Sequence, residues 1–217
     1  MISDSASIHP TAMVASGARV GPRTSVGPYA MLGPEVSLGA DNVVGAYVVI
    51  EGRAEIGTAN RFYSHSVIGV EPQVSAWQGG PQRLQIGDHN VFREFVSVSG
   101  SADEGHGCTS IGSRNMLMAT AHVGHDCQLG DRIHIANGGT LAGRVVIEDN
   151  AWVSGLCAVH QLVRIGAHAF AAGGAIVTQD IPPFCLVQGD RARLVSLNEV
   201  GLRRADFPDT VVSPDVV

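Results

Sequence analysis

Apolar side chains recur at every sixth position over most of this chain, in two long series that each keep one phase. An amphipathic helix would need apolar residues three and four positions apart, and a half-buried strand would alternate strictly, so neither explains this period. A six-residue repeat is typical of a solenoid in which short strands alternate with tight corners. The two series are Val14, Val20, Val26, Leu32, Leu38, Val44, Ile50, Ile56, Phe62 and Ile68, and then Ile111, Leu117, Val123, Leu129, Ile135, Leu141, Ile147, Val153, Val159 and Ile165.

Each six-residue unit, or hexad, has the same internal order: an apolar residue, a small residue, two polar positions and a second small residue. Leu38, Gly39, Ala40, Asp41 and Asn42 are an example. Gly tolerates a positive φ and Pro presets a turn, so we expect a Gly or Pro after the apolar residue to form the corner. The small fifth residue is expected to face inward. Three hexads make one triangular coil, which predicts an all-β solenoid, a left-handed parallel β-helix of roughly eight or nine coils.

Composition narrows the class of protein further. With 217 residues the chain has the length of one domain, and its net charge of −6 argues against nonspecific nucleic-acid binding. No apolar run reaches the length of a membrane span and no secretory leader opens the sequence, so we expect a cytoplasmic protein with no membrane span. Cys127 and Cys157 fall at the inward fifth position of their hexads, which predicts small buried hydrophobic residues rather than disulfide partners.

Two interruptions and a changed C-terminal segment break the repeat. We expect residues 1–183 to form the β-helix, with loops leaving it at about residues 70–85 and 99–110 on the same side of the stack. Residues 184–217 are predicted to be a short helical tail, in which one helix from Leu194 to Arg204 places Leu194, Leu197 and Leu202 on an apolar side. Triangular prisms of this kind commonly pack as threefold rings, so we predict a homotrimer.

The densest group of chemically active side chains lies around His125. In the hexad that starts at Val123, His125 takes the third position, at a corner, so its ring is expected to point outward beside Asp126. An outward imidazole next to a carboxylate can act as a general base near neutral pH. A solvated surface histidine is the alternative that spacing alone leaves open.

Several sequence blocks, taken in order, resemble the UDP-N-acetylglucosamine O-acyltransferase family. The resemblance covers nearly the whole chain up to Arg204. It implies transfer of a 3-hydroxyacyl chain from acyl carrier protein to the sugar 3-hydroxyl, the first step of lipid A biosynthesis, without a cofactor or a metal. The blocks are His9-Pro10-Thr11-Ala12, Ala121-His122-Val123-Gly124-His125-Asp126-Cys127, Ala136-Asn137, Thr140-Leu141-Ala142-Gly143, Ala158-Val159-His160-Gln161, Ile165-Gly166-Ala167-His168 and Gly201-Leu202-Arg203-Arg204.

The resemblance also implies roles for individual residues. His125 would be the general base, Asp126 would orient it, and the backbone N–H of Gly143 would form the oxyanion hole. The remaining implied residues bind substrate: Gln73, His122, His160 and Gln161 at the acceptor sugar, Asn198 and Arg204 at the diphosphate, and Met118 and Gly173 along the acyl groove. In such a trimer the site would lie between two subunits.

This chain departs from the family pattern where acceptor contacts are expected. The first loop of the family has an aspartate and a lysine where this chain has Val74 and Ala76. A histidine is usual at Ser99 and at Arg144, and a glutamate at Val200. We therefore expect conserved chemistry with altered recognition of the acceptor.

Two other functions stay open at this point. A paralogue that has lost catalysis would bind an acyl chain or a nucleotide as a scaffold or regulatory protein. A zinc enzyme would draw ligands from His122, His125 and His160, as in β-helix trimers that hold zinc between subunits. For an acidic carrier protein, the candidate docking residues are Arg164, Arg191, Arg193 and Arg203.

Overall fold

The computed structural model describes residues 1–102, 107–208 and 212, and shows a left-handed parallel β-helix. Consecutive strands visit three sheets in turn, so every third strand returns to the same sheet. The predicted fold class is confirmed. No helix within the described residues is long and apolar enough to cross a membrane.

Strands are numbered in chain order, and each sheet forms one wall of a triangular prism. The first sheet contains β1 (Ser7–Ile8), β4 (Ser25–Val26), β7 (Val43–Val44), β10 (Arg61–Phe62), β13 (Val91–Phe92), β16 (Met116–Leu117), β19 (His134–Ile135), β22 (Trp152–Val153), β25 (Phe170–Ala171), β27 (Cys185–Gln188) and β28 (Arg193–Leu197). The second sheet contains β2 (Met13–Val14), β5 (Met31–Leu32), β8 (Val49–Ile50), β11 (Val67–Val70), β14 (Ser97–Ser99), β17 (His122–Val123), β20 (Thr140–Leu141), β23 (Ala158–Val159) and β26 (Ile176–Val177). The third sheet contains β3 (Arg19–Val20), β6 (Ser37–Leu38), β9 (Arg53–Ile56), β12 (Arg83–Ile86), β15 (Thr109–Ile111), β18 (Gln128–Leu129), β21 (Val146–Ile147) and β24 (Arg164–Ile165).

The core consists of the two inward positions of each hexad. The apolar first residues are buried from Val20 onward, and the fifth residues between them, such as Ala121, Cys127 and Cys157, are buried as well. All four cysteines are free, so the prediction that Cys127 and Cys157 are small buried hydrophobic residues is confirmed.

The corners differ from the prediction in one respect. The residue with positive φ is the fourth of the hexad and is usually not glycine, as at Asp41 (φ 60°), Tyr47 (φ 57°) and Asp126 (φ 58°). Glycine at the second position serves another purpose, because a Cβ on Gly21 would come within 2.5 Å of the Gly39 carbonyl group in the next coil. Position 21 therefore has no side chain because the adjacent coil lies too close for one.

A ladder of buried asparagines runs inside the edge where the third sheet turns into the first. Asn42, Asn60, Asn90 and Asn115 occupy equivalent fifth positions in successive coils and are buried. Each side-chain oxygen accepts the backbone N–H of the residue one coil further on, as from Asn90 to Asn60 Oδ1 at 2.9 Å and from Asn115 to Asn90 Oδ1 at 2.9 Å. These side chains pair backbone groups that would otherwise be buried without a partner.

Two loops leave the prism at one edge, where the second sheet turns into the third. We call this edge the 2–3 edge. Loop 1 (residues 71–82) separates β11 from β12, and the coil register there is 30 residues instead of the usual 18. Loop 2 (residues 100–108) separates β14 from β15 and gives a register of 25 residues, which shifts the hexad phase by one. Part of the loop predicted at residues 99–110, namely 103–106, lies outside the described residues.

The C-terminal segment corrects the prediction of one helix from Leu194 to Arg204. Residues Arg193–Leu197 form β28, which pairs antiparallel with β27, and helix α1 covers only Glu199–Arg204. Leu202 is buried, whereas Leu194 and Leu197 are exposed. Asn198 interrupts the segment, because its side-chain oxygen accepts the Gly201 N–H and caps α1. The division of the chain into residues 1–183 and 184–217 stays a prediction, and most of the tail beyond residue 208 lies outside the described residues.

Replacing Asn90 by Leu should lower the free energy of unfolding by about 2–5 kcal/mol, because buried groups of Gly112 and Asn115 lose their partners. Urea unfolding followed by circular dichroism measures the change. Gln128→Leu, at an exposed position of β18, is the matched control. Equal losses in the two variants would contradict the structural role of the ladder.

Candidate functional site

The 2–3 edge brings three of the predicted site residues into one row. His125, Gly143 and Gln161 each take the third position of a hexad that follows the second sheet, in successive coils. Neighbouring coils are separated by about 4.8 Å, so this row spans ~10 Å. Loops 1 and 2 leave the same edge in the two coils that precede His125. Loop 1 carries Gln73, whose side chain is exposed.

His125 and Asp126 form a hydrogen-bonded pair. The distance from His125 Nδ1 to Asp126 Oδ2 is 2.8 Å, and the exposed fractions of the two side chains are 22% and 9%. With Nδ1 facing the carboxylate, Nε2 is the ring nitrogen left to exchange a proton with a ligand. The structure therefore distinguishes His125 from an ordinary solvated surface histidine.

Ala102 in loop 2 and Thr109, the first residue after that loop, both form hydrogen bonds with Asp126. The Ala102 N–H lies 3.3 Å from each carboxylate oxygen, and Thr109 Oγ1 accepts the backbone N–H of Asp126 at 2.9 Å. Arg144 approaches from the next coil, with Nε 4.0 Å from Asp126 Oδ2 and its backbone N–H bonded to the His125 carbonyl. Neither Thr109 nor Ala102 is recognisable as a site residue from the sequence, because the loop insertion hides which residues return to this edge.

Gly143 lies directly against the His125 ring. A Cβ at this position would overlap Nε2 and lie 2.5 Å from Cε1. Among the described residues, no acceptor takes a hydrogen bond from the Gly143 N–H. Other corners have Pro22, Pro28 or Pro34 at this third position. The ladder therefore does not need this donor, and the Gly143 N–H is left for a ligand beside His125 Nε2.

Two further histidines flank this row. His122 faces outward from β17, and its Nδ1 lies 2.7 Å from Ser97 Oγ. Burial lowers the pKa of His122, which favours the neutral ring. His160 is exposed next to Gln161, and its Nδ1 lies 3.1 Å from the Gln161 carbonyl oxygen.

The two cysteines at this edge, Cys108 and Cys127, are not supported as nucleophiles, because burial raises the pKa of each thiol. Cys127 follows Asp126 directly, but its side chain faces the core and burial raises the pKa of its thiol to about 12. A thiol with such a pKa supplies almost no thiolate near neutral pH. The reactive group that the geometry offers is therefore the His125 imidazole.

Met118 and Gly173 lie on a different edge, where the first sheet turns into the second. Met118 follows β16 and Gly173 follows β25, three coils further along the prism. At the usual strand spacing they are ~14 Å apart along the axis. Gly173 is exposed, and a Cβ there would have no neighbour closer than 3.7 Å.

Asn198 and Arg204 lie on the outer side of the first sheet, away from the row that contains His125. Asn198 donates from Nδ2 to the His168 carbonyl at 2.8 Å, and its backbone N–H bonds to the Phe184 carbonyl. These bonds attach the C-terminal segment to the prism. A single chain thus does not bring these two residues to His125.

Arg204 lines a cavity of about 960 Å³ between the first sheet and the C-terminal segment. The floor is a stack of rings, with centroid distances of 4.2 Å from His134 to Trp152 and 6.4 Å from Trp152 to Phe170. Arg114 stands at the same cavity. The combination of apolar rings and guanidinium groups suits an anionic ligand with an apolar part.

The residues that depart from the resembled family lie both near the 2–3 edge and near the cavity that Arg204 lines. Val74 and Ala76 are in loop 1, and Ser99 is buried at the end of β14. Arg144 lies beside Asp126, whereas Val200 is 59% exposed at the cavity. Among the described residues, no group of three or more His, Cys, Asp or Glu side chains is placed to hold a metal ion.

Comparison with known proteins gives a consistent result. The family profile described as "Udp N-acetylglucosamine O-acyltransferase; Domain 2" matches residues 180–213. An acyl-(acyl-carrier-protein)-UDP-N-acetylglucosamine O-acyltransferase from Verminephrobacter eiseniae (strain EF01-2) is 48% identical over 202 residues, which cover 93% of this chain and 77% of the relative. The protein of the same name from Anaeromyxobacter sp. (strain Fw109-5) is 50% identical over 203 residues, 94% of this chain and 79% of the relative.

Solved structures agree with the sequence relatives. The UDP-N-acetylglucosamine acyltransferase from Campylobacter jejuni has a TM-score of 0.90 at 36% identity, covering 94% of this chain and 80% of that chain. The UDP-N-acetylglucosamine acyltransferase from Bacteroides fragilis 9343 has a TM-score of 0.86 at 31% identity, covering 98% of this chain and 80% of that chain.

His122 should titrate below the ordinary histidine midpoint of about 6.5, because burial disfavours its cation. The folded protein then binds fewer protons at this position than the unfolded chain does, so this position stabilises the fold less as the pH falls below about 6.5. An NMR titration of the imidazole resonances, assigned with His122→Gln, measures the midpoint. A midpoint above 6.5 would show that burial does not control this ring.

Proposed function

The chain belongs to the UDP-N-acetylglucosamine O-acyltransferase family, and from this premise we propose that it transfers an acyl chain from acyl carrier protein to a hydroxyl group of a UDP-sugar. The observation that carries the proposal is the His125–Asp126 pair packed against Gly143. In the resembled family the chain transferred is a 3-hydroxyacyl group, the acceptor is the 3-hydroxyl of UDP-N-acetylglucosamine, and the product enters lipid A biosynthesis. We propose the same reaction class for this protein, in the cytoplasm.

The proposed reaction uses His125 twice. Nε2 removes the proton of the sugar hydroxyl while the hydroxyl oxygen attacks the thioester carbonyl carbon. The carbonyl oxygen becomes an oxyanion, which accepts a hydrogen bond from the Gly143 N–H. When the tetrahedral intermediate collapses, the carbon–sulfur bond breaks and the imidazolium returns its proton to the leaving thiolate. No cofactor takes part in this sequence.

Asp126 would hold the imidazole in the reactive tautomer. Its carboxylate accepts the Nδ1 proton at 2.8 Å, which leaves Nε2 as the acceptor and stabilises the imidazolium that forms. Arg144 Nε, at 4.0 Å from the same carboxylate, places a positive charge beside the pair.

The other predicted residues would bind the two substrates. Gln73, His122, His160 and Gln161 would line the acceptor sugar around the 2–3 edge. The acyl chain would follow the edge that carries Met118 and Gly173, where the missing side chain of Gly173 leaves room.

The diphosphate would bind at the cavity next to Arg204, whose guanidinium group suits phosphate oxygens. Asn198 caps α1 and so fixes the helix that carries Arg204, and one Nδ2 hydrogen beyond its bond to His168 is left for a phosphate.

The residues proposed to bind the sugar and those proposed to bind the diphosphate can act on one substrate only if a second copy of the chain is present. His125 lies at the 2–3 edge and Arg204 lies outside the first sheet, so one nucleotide-sugar reaches both only if an adjacent subunit supplies one of them. A closed ring of three subunits joins two different surfaces of the same chain at every interface. We therefore propose that the active form is a homotrimer.

Carrier-protein docking would use arginines near the C-terminal end of the prism. Arg164 and Arg203 are paired with Glu148 and Glu199. Arg193, which together with Arg191 borders a separate surface pocket, is exposed at the start of β28. We propose that Arg191 and Arg193 contribute more to binding an acidic carrier than the two paired arginines do.

Acceptor choice is the part of the function in which this chain is expected to differ. Val74, Ala76, Ser99 and Val200 cannot make the charged contacts that are usual at these positions in the family, and losing such contacts costs several kcal/mol in other systems. A paralogue without catalysis is less favoured, because the His125–Asp126 pair is intact. The three histidines proposed above as zinc ligands do not converge within one chain.

Replacing His125 by Ala should abolish acyl transfer, because it removes the imidazole that lies against Gly143. The assay offers acyl carrier protein thioester and a panel of UDP-sugars, and detects products by mass spectrometry. His9→Ala, in the first coil, is the control with an exposed histidine. Full activity of His125→Ala would overturn the assignment of the base, and absence of product from any sugar with the unmodified protein would favour the paralogue.

Mixed trimers test whether the site is shared. His125→Ala and Arg204→Ala chains, each inactive alone, are co-expressed with different tags and purified together. If each site takes His125 and Arg204 from different chains, every mixed ring contains one complete site out of three, so about a third of the activity returns. If both residues serve a site within one chain, every site lacks one of them and activity stays absent.

A further inference from the structure

The corner at Asp126 is built differently from its neighbours along the prism. In an ordinary corner, the left-handed fourth residue donates its backbone N–H to the carbonyl of the third residue one coil earlier. Arg144 to His125 (2.8 Å), Leu162 to Gly143 (3.1 Å) and Arg132 to Ser113 (2.9 Å) are examples. This bond fixes a peptide in a conformation that most side chains avoid.

Loop 2 removes the carbonyl that Asp126 would use. The coil before it is the one that loop 2 interrupts, and the residues that begin the loop pair elsewhere. The Gly100 N–H bonds to the Val70 carbonyl, and the Ser101 N–H bonds to the Arg83 carbonyl. The regular pairing of β14 with β17 ends just before loop 2 begins. Its last pairs are Ser97 with His122 and Val98 with Val123.

Thr109 supplies the missing acceptor. It is buried in β15, where loop 2 rejoins the prism, and its hydroxyl oxygen accepts the Asp126 N–H at 2.9 Å. A hydroxyl also serves a fourth-position N–H at Arg23 and Tyr29, but those acceptors, Ser5 and Thr11, belong to the corner directly beneath. At Asp126 the acceptor comes from the far end of an inserted loop.

We infer that Thr109 is a positioning residue, which fixes the Asp126 backbone so that its carboxylate meets His125 Nδ1. This inference rests on the proposed function, because it assumes that His125 is the base. The Ala102 N–H holds the carboxylate from the other side at 3.3 Å, a long distance for a hydrogen bond. The shorter bond to Thr109 is therefore the one that sets the corner.

Loss of the hydroxyl has a specific consequence. Thr109→Val keeps the branched shape but leaves the Asp126 N–H without an acceptor, so the left-handed peptide is free to rotate. Misplacement of a catalytic group by about 1 Å costs up to a hundredfold in rate. Substrates bind to other residues, so the change should fall on kcat and not on KM.

The experiment compares Thr109→Val, Thr109→Ser and Thr24→Val in the complete chain. We expect kcat to fall about tenfold to a hundredfold in Thr109→Val with KM unchanged, and to recover in Thr109→Ser, which restores the acceptor. Thr24 is the matched control, because it is also buried and its hydroxyl also accepts a backbone N–H, from Asn42 at 3.1 Å, but in a coil far from the site. Thermal unfolding of all variants reports general loss of stability.

A double-mutant cycle shows whether Thr109 acts through Asp126. In an Asp126→Asn background, Thr109→Val should cost less than about twofold, since the carboxylate it positions is gone. The same loss in both backgrounds, unchanged kcat in Thr109→Val, or an equal loss in Thr24→Val would each overturn the inference. Where Asp126→Asn has no measurable activity, failure of Thr109→Ser to recover kcat overturns it instead. His125→Ala is measured alongside. If that variant keeps its activity, the proposed base itself is refuted, whereas loss of its activity together with unchanged kcat in Thr109→Val refutes only the role of Thr109.

Discussion

Everything in this protein depends on the backbone hydrogen bonds that join each coil to the next. Parallel pairing at a register of 18 residues places each hexad position directly over its equivalent, as with His122 over Thr140. A left-handed residue at the fourth position makes the corner tight enough for three two-residue strands to close a triangle. At corners such as those of Gly21 and Gly39 the second position must stay small, because neighbouring coils approach to within contact distance there. Side chains at a corner therefore form straight rows, and the rigidity of the site comes from the stack rather than from local packing.

Because equivalent corner side chains stack in rows along the prism, loops inserted at one edge surround the candidate site without disturbing the stack of coils. Loops 1 and 2 add residues only at the 2–3 edge, and the strands on both sides resume their pairing, including Ile56 with Ile86 and Ile86 with Ile111. Inside the edge between the third and first sheets, the asparagine ladder continues through both interrupted coils, from Asn60 to Asn90 to Asn115. The core is thus continuous where the surface is not. Variation in the loops changes what surrounds His125 but leaves the position of its backbone fixed.

The parts of the structure that follow the repeat were predictable from the sequence, and the parts set by single contacts were not. The hexad phase places His125 at an outward corner, and the same reasoning identifies Cys127 and Cys157 as core residues. The helix expected from Leu194 to Arg204 was wrong because a spacing of three between Leu194 and Leu197 imitates a helix, whereas pairing with β27 makes this segment a strand. Its five residues are exposed, so no burial pattern marks them as a strand. Thr109 was missed because the one-residue phase shift in loop 2 conceals which residue returns to Asp126.

The geometry of one chain also limits how its function can change. His125 and Gly143 are fixed to each other by the stack, since the ring lies against a position where only glycine fits. Arg204 is attached through Asn198 to the end of the prism and lies outside the first sheet, away from the 2–3 edge. A change in recognition can therefore accumulate in loop 1 and around Val200 without moving the proposed base or the proposed oxyanion donor. Loop 1 and the surroundings of Val200 can thus vary independently of His125 and Gly143, which would allow the acceptor to change while acyl transfer is kept. The departures at Val74, Ala76 and Val200 fall in these two variable regions.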